Sequence, residues 1–487
     1  MRKTTIISMP NQKIERKRAN KDNLFEEFKL DDSFLNMGLN KKFYIYTYGC
    51  QENEADSEKI KGMLLKMSYE EALSVEDADV IVMNTCAIRK NAEDKVFGEI
   101  GRLKPLKRKN PNLITILCGC MSQEEVVVES ILKNYQNIDI VVGTHNIHDI
   151  PLMLKKVYEG HDRIVDVLSF EGSIVESIPV SRSSNIVAWV PIMYGCDEFC
   201  SYCIVPYTRG KERSRLPENI IKEVNDLIDK GYKQVTLLGQ NVNAYGKDFV
   251  DRKYDFADLL RDLHNTKIER IRFTTSNPKD FDDRQVDAMA LGGNIMPQLH
   301  LPVQSGSNKV LKAMVRRYTR EKYLDLVKEI KTKIPNISLT TDIIVGFPGE
   351  TEEDFQETIS LVKECGFEGA YTFIFSPREG TPAAKLNDPL ITDVIAHDRL
   401  YRLNEIVNEG YLRGNMRFKD TIQEVLIEGV SKNNKDVLMG YNPNGKLVNV
   451  KGDPSLIGKI VKVKITDAKS WSLDGEYIDE WKRRKIN

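Results

Sequence analysis

Histidine is scarce in this sequence, with six in 487 residues and none between Ile186 and Leu263. A metal site built in that span must do without imidazole. No apolar run approaches the roughly 20 residues that cross a bilayer. The N-terminus lacks the apolar core of a secretory signal. A cytoplasmic protein with no membrane partner is therefore expected. Net charge is also nearly absent: 71 Lys and Arg face 72 Asp and Glu. Global charge thus gives no sign of a polyanion partner. No internal repeat or low-complexity tract interrupts the chain.

What is present is uneven charge and eight cysteines. Residues 1–21 carry seven Lys/Arg against one acid, and residues 411–487 carry 15 Lys/Arg against 10 Asp/Glu. Basic ends on a neutral chain permit a nucleic-acid contact without requiring one. In a reducing compartment, eight cysteines suggest metal or catalytic work before disulfides.

The hydrophobic pattern divides the chain. Residues 1–40 are polar and irregular, and are expected to form a flexible basic extension. From 41 to 159, β-branched and aromatic runs alternate with helical patterns: "KKFYIYT", "DADVIVMNTC", "NLITILCGC" and "IDIVVGT". That alternation predicts an α/β domain with an open parallel sheet and helices on both faces. A polar connection, 160–185, follows. From 182 to 414 strands are predicted at 187–194, 233–239, 270–275, 297–303, 337–345 and 370–375, with helices between them. Six β/α units make a partial (β/α)6 barrel, two short of the eightfold form. From 415 to 480 short strands and an Asn-Gly turn at 444–445 predict a small antiparallel β-barrel.

"MYGCDEFCSYCIVP" opens the barrel-like region with Cys196, Cys200 and Cys203. The loop lies past the C-terminal end of the first strand, where such folds place their chemistry. Structural zinc wants four ligands. A fourth cysteine is missing nearby, and so is a local histidine. A cubane iron–sulfur cluster takes one thiolate per iron, so three thiolates leave one iron open. That iron can bind the amine and carboxylate of S-adenosyl-L-methionine. The run "MYGCDEFCSYCIVPYTRGKERSR" resembles the methylthiotransferases among the radical S-adenosylmethionine enzymes. The resemblance covers about 41–480. It implies a radical core over 182–414, in which an electron from the cluster cleaves the sulfonium to a 5′-deoxyadenosyl radical. It also implies a TRAM RNA-binding module at 415–480. For that module, the alternative is a structural cap on the barrel mouth.

Cys50, Cys86 and Cys120 each follow a predicted parallel strand. Groups at the carboxyl ends of such strands converge on one crevice. One cysteine there is often a small buried apolar residue; three in successive units suggest a second cluster. Cys118 and Cys120 face the same side of an extended strand, and either could ligate. The resemblance favours Cys120 and makes the N-terminal domain the holder of an auxiliary cluster. Its open iron would carry the sulfur to be inserted. Two [4Fe-4S] clusters and two uses of S-adenosylmethionine are thus implied, one for methyl transfer and one for the radical.

Polar groups gather at the predicted strand ends, and Gln240, Asn241, Ser276, Gln304, Asp342, Gly346 and Gly349 are the candidates to bind S-adenosylmethionine. Glycines at 346 and 349 would let backbone approach a ligand. Arg209, Lys211, Arg213 and Arg215, with Lys312, Arg316, Arg317, Arg320 and Lys322, are candidate phosphate contacts. Within the family, "TYGCQENEADSEK" and "CSYCIVPYTRG" are most similar to the enzymes that act on tRNA bearing isopentenyladenosine at position 37. A flavodoxin- or ferredoxin-type electron donor is implied, and a monomer is expected. Siblings acting on threonylcarbamoyladenosine or on a ribosomal-protein aspartate remain as alternatives. So does an iron–sulfur RNA-binding or electron-transfer protein without chemistry. Anaerobic reconstitution is expected to load about eight irons per chain, two cubanes by ligand count; a content near four refutes the second cluster.

Overall fold

The computed structural model describes residues 3–11, 23–87, 90–160, 163–386, 391–432 and 434–478. The chain forms two compact units. The first comprises Met1–Ser183, Met193–Phe199 and Cys203–Arg215; the second comprises Ser184–Ile192, Cys200–Tyr202 and Leu216–Asn487.

The first unit is built on a seven-stranded sheet. Its central strands are Lys42–Thr47, Val80–Thr85, Ile114–Gly119 and Ile140–Val142. All pairings are parallel. The Val80–Thr85 and Ile114–Gly119 strands are buried at every position, as expected with both faces covered. Alternate side chains feed two apolar layers. Val80, Val82 and Ile116 pack with Ile60, Leu64 and Met153 on one face. Ile81, Met83 and Leu117 pack with Val96, Ile100 and Val128 on the other.

Two boundaries differ from the sequence expectation. The extension does not behave as a tail: Thr5–Ser8 pairs with Ile164–Asp166, and Phe25–Glu27 pairs with Ile174–Glu176. Residues 12–22 lie outside the described residues. The partners Ile164–Asp166 and Ile174–Glu176 lie in the stretch read as a polar connection, so the sheet runs past residue 159. Each is a three-residue strand, too short to stand out by periodicity. Arg163 marks this edge. Its guanidinium is buried and donates to the carbonyls of Ile138, Leu132, Ile131 and Tyr135. Two of these carbonyls, Ile131 and Leu132, lie in the last turn of the helix Glu125–Asn134.

In the second unit, all six expected barrel strands are present, in two three-stranded parallel sheets. One joins Val187–Pro191, Gln234–Leu238 and Arg270–Phe273. The other joins Gln298–His300, Ser338–Val345 and Ala370–Ile374. A bridge between Ile271 and Ile295 links them, which gives the partial barrel. Helices follow the strands with local signals in place. Thr351 and Asp354 form a capping box on Glu352–Cys365, and Gly366 ends that helix at φ +57°. Cys365 is buried.

The C-terminal strands close into a five-stranded barrel around Val425, Ile427, Val448, Val463 and Ile465. One pairing, Leu447–Lys451 with Leu473–Tyr477, is parallel, so the barrel is not wholly antiparallel. Its Asn-Gly turn packs on strand starts of the larger barrel. Asn444 Nδ2 donates to the carbonyls of Pro297 and Asn336, and Arg270 donates to those of Tyr441 and Glu424. The small barrel therefore sits at the N-terminal ends of these strands and does not cap the mouth at their C-terminal ends.

Replacing Arg163 with Met removes its charge-assisted hydrogen bonds to four carbonyls. A loss of about 3 kcal/mol is expected, read as a lower urea midpoint at unchanged slope; an unchanged midpoint contradicts the clasp.

Candidate active site

The carboxyl ends of the three strands carrying Cys50, Cys86 and Cys120 are stitched together by amides. Asn53 Nδ2 donates to Asn84 Oδ1 and to the carbonyl of Thr85, at 3.1 and 3.0 Å. Asn84 Nδ2 returns a bond to the Asn53 carbonyl at 2.8 Å. Thr85 Oγ1 donates to the Cys118 carbonyl at 2.6 Å. Two glycines permit the close approach. A Cβ on Gly49, at φ +133°, would lie 2.6 Å from the Cβ of Cys86. One on Gly119, at φ +92°, would collide with the Thr85 carbonyl.

That turn at Gly119 also separates the two candidates for the third thiol. Cys118 stays on the strand and packs with Phe43, Ile60 and Val82 in the core. Cys120 starts the short helix Cys120–Gln123 beyond the sheet edge. The strand argument, which put both on one side, fails because the strand ends between them.

Cys86 and Cys120 are buried and Cys50 is half-buried. Burial pushes the thiols of Cys50 and Cys120 up, while Arg209 pulls both back down. Cys50 interacts electrostatically with Cys120, and Cys120 with Cys86. Arg209 Nε donates to Cys120 Sγ at 3.2 Å, and Nη1 to Asp56 at 2.6 Å. Among the described residues no three His, Cys, Asp or Glu converge on a single-ion site. A cubane spreads its thiolates over separate irons and does not require such convergence. The residues fit that group: three sulfurs, a buried cation, and the Arg209 Nη2 donor, buried without a partner.

The three-cysteine loop starts from a ribbon in which Met193 and Tyr194 pair with Ser214 and Arg213. Gly195, at φ +75°, leaves no room for a Cβ against the Lys211 carbonyl, and the Cys196 amide donates to the Gly210 carbonyl at 3.0 Å. Cys196 and Cys203 belong to the first unit and Cys200 to the second. Cys200 is buried, and Arg316 Nη1 donates to its sulfur at 3.4 Å. Arg316 Nη2 also reaches Asn277 Oδ1 and the Pro302 carbonyl. A guanidinium at a cysteine sulfur therefore occurs twice, once for each set.

Several residues expected to bind cofactor have structural partners. Asn241 Nδ2 donates to Asp280 at 2.7 Å. Gly346 N–H donates to Glu350 Oε2 at 2.8 Å, and the space for its Cβ is taken by Ala396. Helix packing thus accounts for that glycine. Gly349 lies in the same turn at φ +77°, and its carbonyl accepts from Lys309. Asp342 is not at a strand end; it sits within Ser338–Val345, 3.3 Å from His300 Nε2. Gln240 follows its strand, as expected. Gln304 is held at φ +70° past the strand Gln298–His300. The Ser276 hydroxyl is buried without a partner. His300 and Tyr371, in edge-to-face contact at 5.7 Å, were not anticipated.

The expected phosphate contacts are corrected in the same way. Arg213 bonds the Gly172 carbonyl, and Arg215 pairs with Glu176 at 2.6 Å. With Arg209, both are buried. Arg316 is committed to Cys200. A rigid five-donor fork can saturate several buried acceptors, and a sequence cannot distinguish that use from a solvated cluster. Lys312, Arg317 and Lys322 are exposed.

Three family models match this chain: the Radical SAM superfamily over 190–362, the uncharacterized protein family UPF0004 over 42–143, and the TRAM domain over 417–478. The chain is 55% identical over 478 residues to a tRNA-2-methylthio-N(6)-dimethylallyladenosine synthase of Anoxybacillus flavithermus, covering 98% of this chain and 90% of that protein. It is 56% identical over 476 residues to the synthase of the same name from Bacillus cytotoxicus, covering 98% and 93%. The chain belongs to the radical S-adenosylmethionine tRNA methylthiotransferases. As a member of that family it is an enzyme, and the family implies a [4Fe-4S] cluster and S-adenosylmethionine. A solved radical S-adenosylmethionine methyltransferase, TsrM from Kitasatospora setae with cobalamin and [4Fe-4S] cluster bound, is similar in fold alone. The TM-score is 0.52 at 13% identity, covering 70% of this chain and 73% of that one.

In this methylthiotransferase Gly119→Ala forces a left-handed residue and a carbonyl clash together. A cost of order 1–3 kcal/mol is expected, with reduced iron retention after reconstitution; wild-type iron and melting would refute the role of the turn.

Proposed function

We propose that this enzyme adds a methylthio group to C2 of N6-isopentenyladenosine at position 37 of tRNA. The observation that carries the reading is the gathering of Cys50, Cys86 and Cys120 at one sheet edge, beside a buried counter-cation, in a chain that also has the Cys196–Cys200–Cys203 loop. Two sets of three thiols, each one ligand short of a closed site, suit a reaction that needs both a radical source and a sulfur source. The name of the relatives at 55–56% identity supports the choice of base.

Cys196, Cys200 and Cys203 would hold the first cluster, and Cys50, Cys86 and Cys120 the auxiliary one. When bound, the first supplies the electron that splits S-adenosylmethionine, and the second supplies the inserted sulfur. A second S-adenosylmethionine donates the methyl group. Arg316 and Arg209 would fix one sulfur of each set. Ser276 offers an unpartnered hydroxyl at the strand ends, and Gln304 follows at φ +70°. Gln240 and Asn241 shape the same end of the barrel, and Asp342 holds the ring of His300. Tyr371, largely exposed beside His300, offers a face on which a base could stack.

The small barrel supports RNA contact. Lys462 and Lys464 alternate outward from Val461, Val463 and Ile465 on one strand. Trp471 is exposed and packs on Tyr411 at 4.5 Å. Such lysines place a phosphate backbone without reading its sequence. No described helix is long and apolar enough to cross a membrane. A cytoplasmic monomer fed by a flavodoxin- or ferredoxin-type donor completes the reading.

Nucleoside mass spectrometry of tRNA from a deletion strain tests it. Loss of the 2-methylthio-isopentenyl nucleoside is expected, with recovery on complementation. Cys86→Ala is expected not to restore it, while the purified variant still forms 5′-deoxyadenosine. Loss of the threonylcarbamoyl counterpart instead would assign the sibling substrate.

A further inference from the structure

Arg209 is 5% exposed, on the segment that follows the three-cysteine loop. Two of its three nitrogens are engaged, Nε with Cys120 and Nη1 with Asp56. The third, Nη2, is buried without a partner, as are both carboxylate oxygens of Glu52. The groups that interact electrostatically with Arg209 are Asp56, Cys120, Glu52 and Cys50. A buried guanidinium with an unused N–H is costly. It is explained when the remaining space holds an anionic, sulfur-rich group.

We propose that Arg209 is a positioning residue for the auxiliary cluster: its counter-ion, its hydrogen-bond donor at Cys120, and, through Nη2, a donor to the bound group. This rests on reading Cys50, Cys86 and Cys120 as that cluster's ligands. Hydrogen bonds to cluster sulfurs and the local net charge set reduction potential. A cation fixed in a poorly solvated pocket stabilises the reduced, more negative state more than a surface cation does. Arg209 also acts as an anchor. Just before it, Ile204 and Tyr207 pack on Cys120 and Ala87, and Thr144 Oγ1 donates to the Thr208 carbonyl at 2.5 Å. The arm that carries Cys203 is thus fastened to the auxiliary ligand set within the first unit. Loss of Arg209 would both shift the cluster's potential and loosen that arm.

The test uses the full chain with Cys196→Ala, Cys200→Ala and Cys203→Ala, so that only the auxiliary set can hold iron. About four irons per chain are expected; their absence refutes the cluster reading itself, independently of Arg209. Potentiometric titration followed by EPR then compares Arg209→Gln, Arg209→Lys and Asp56→Asn in that background. Arg209→Gln is expected to lower the potential, Arg209→Lys to lower it less, and Asp56→Asn to raise it. Should Arg209→Gln hold no iron, the direction of the Asp56→Asn shift decides. An unchanged potential in Arg209→Gln, an equal fall in Arg209→Lys, or a fall or no change in Asp56→Asn overturns the proposal. A purely structural Arg209–Asp56 pair would weaken iron retention alike in both charge-neutral variants without moving the potential in opposite directions.

Discussion

Thiols that are to act as anionic ligands in a buried pocket need positive charge in the same volume. Burial raises the thiols of Cys50 and Cys120, and Arg209 opposes that rise. In a low-dielectric pocket an unpaired charge is far more costly than a paired one. Asp56 therefore fixes Arg209 from one side, and Cys120 receives it from the other. The surrounding fold serves this arrangement. A parallel sheet brings three strand ends to one edge, Gly49 and Gly119 let the turns approach, and Asn53 and Asn84 hold them together.

The second unit meets a related demand with different parts. Arg316 donates to the Cys200 sulfur, and its other N–H groups reach Asn277 and Pro302 at the ends of neighbouring barrel strands. Asn243 joins Asn277 and Gln285 in the same region. Most of the polar side chains there bind each other and so fix the loops. Among the described residues there, the buried Ser276 hydroxyl has no partner and is left available to a ligand. At the opposite end of the strands, Asn444 and Arg270 fasten the C-terminal barrel.

Some of this was legible in the residues. Strands such as Val80–Thr85 and Ser338–Val345 have long β-branched runs with helical patterns between them, and local signals suffice to place them. Cys196, Cys200 and Cys203 are neighbours in sequence, so their spacing is itself the evidence. Other features were hidden. The strand Thr5–Ser8 is stabilised by Ile164–Asp166, more than 150 residues away, and no local pattern announces such a partner. Arg209, Arg213 and Arg215 look like a solvated basic run, but each is buried on a partner distant in sequence.

The sequence by itself determined the chemistry that is possible: two sets of three thiols, the order of β/α units, and a small barrel with an Asn-Gly turn. These rest on residue type and short-range periodicity, which act within one element. Tertiary structure decided that Cys118 packs in the core while Cys120 starts a short helix and receives Arg209, and that basic residues meet sulfur and carboxylate in the interior. Those outcomes depend on where one strand ends relative to its neighbours. A single left-handed residue, Gly119, is enough to turn one cysteine into the core and the next toward Arg209.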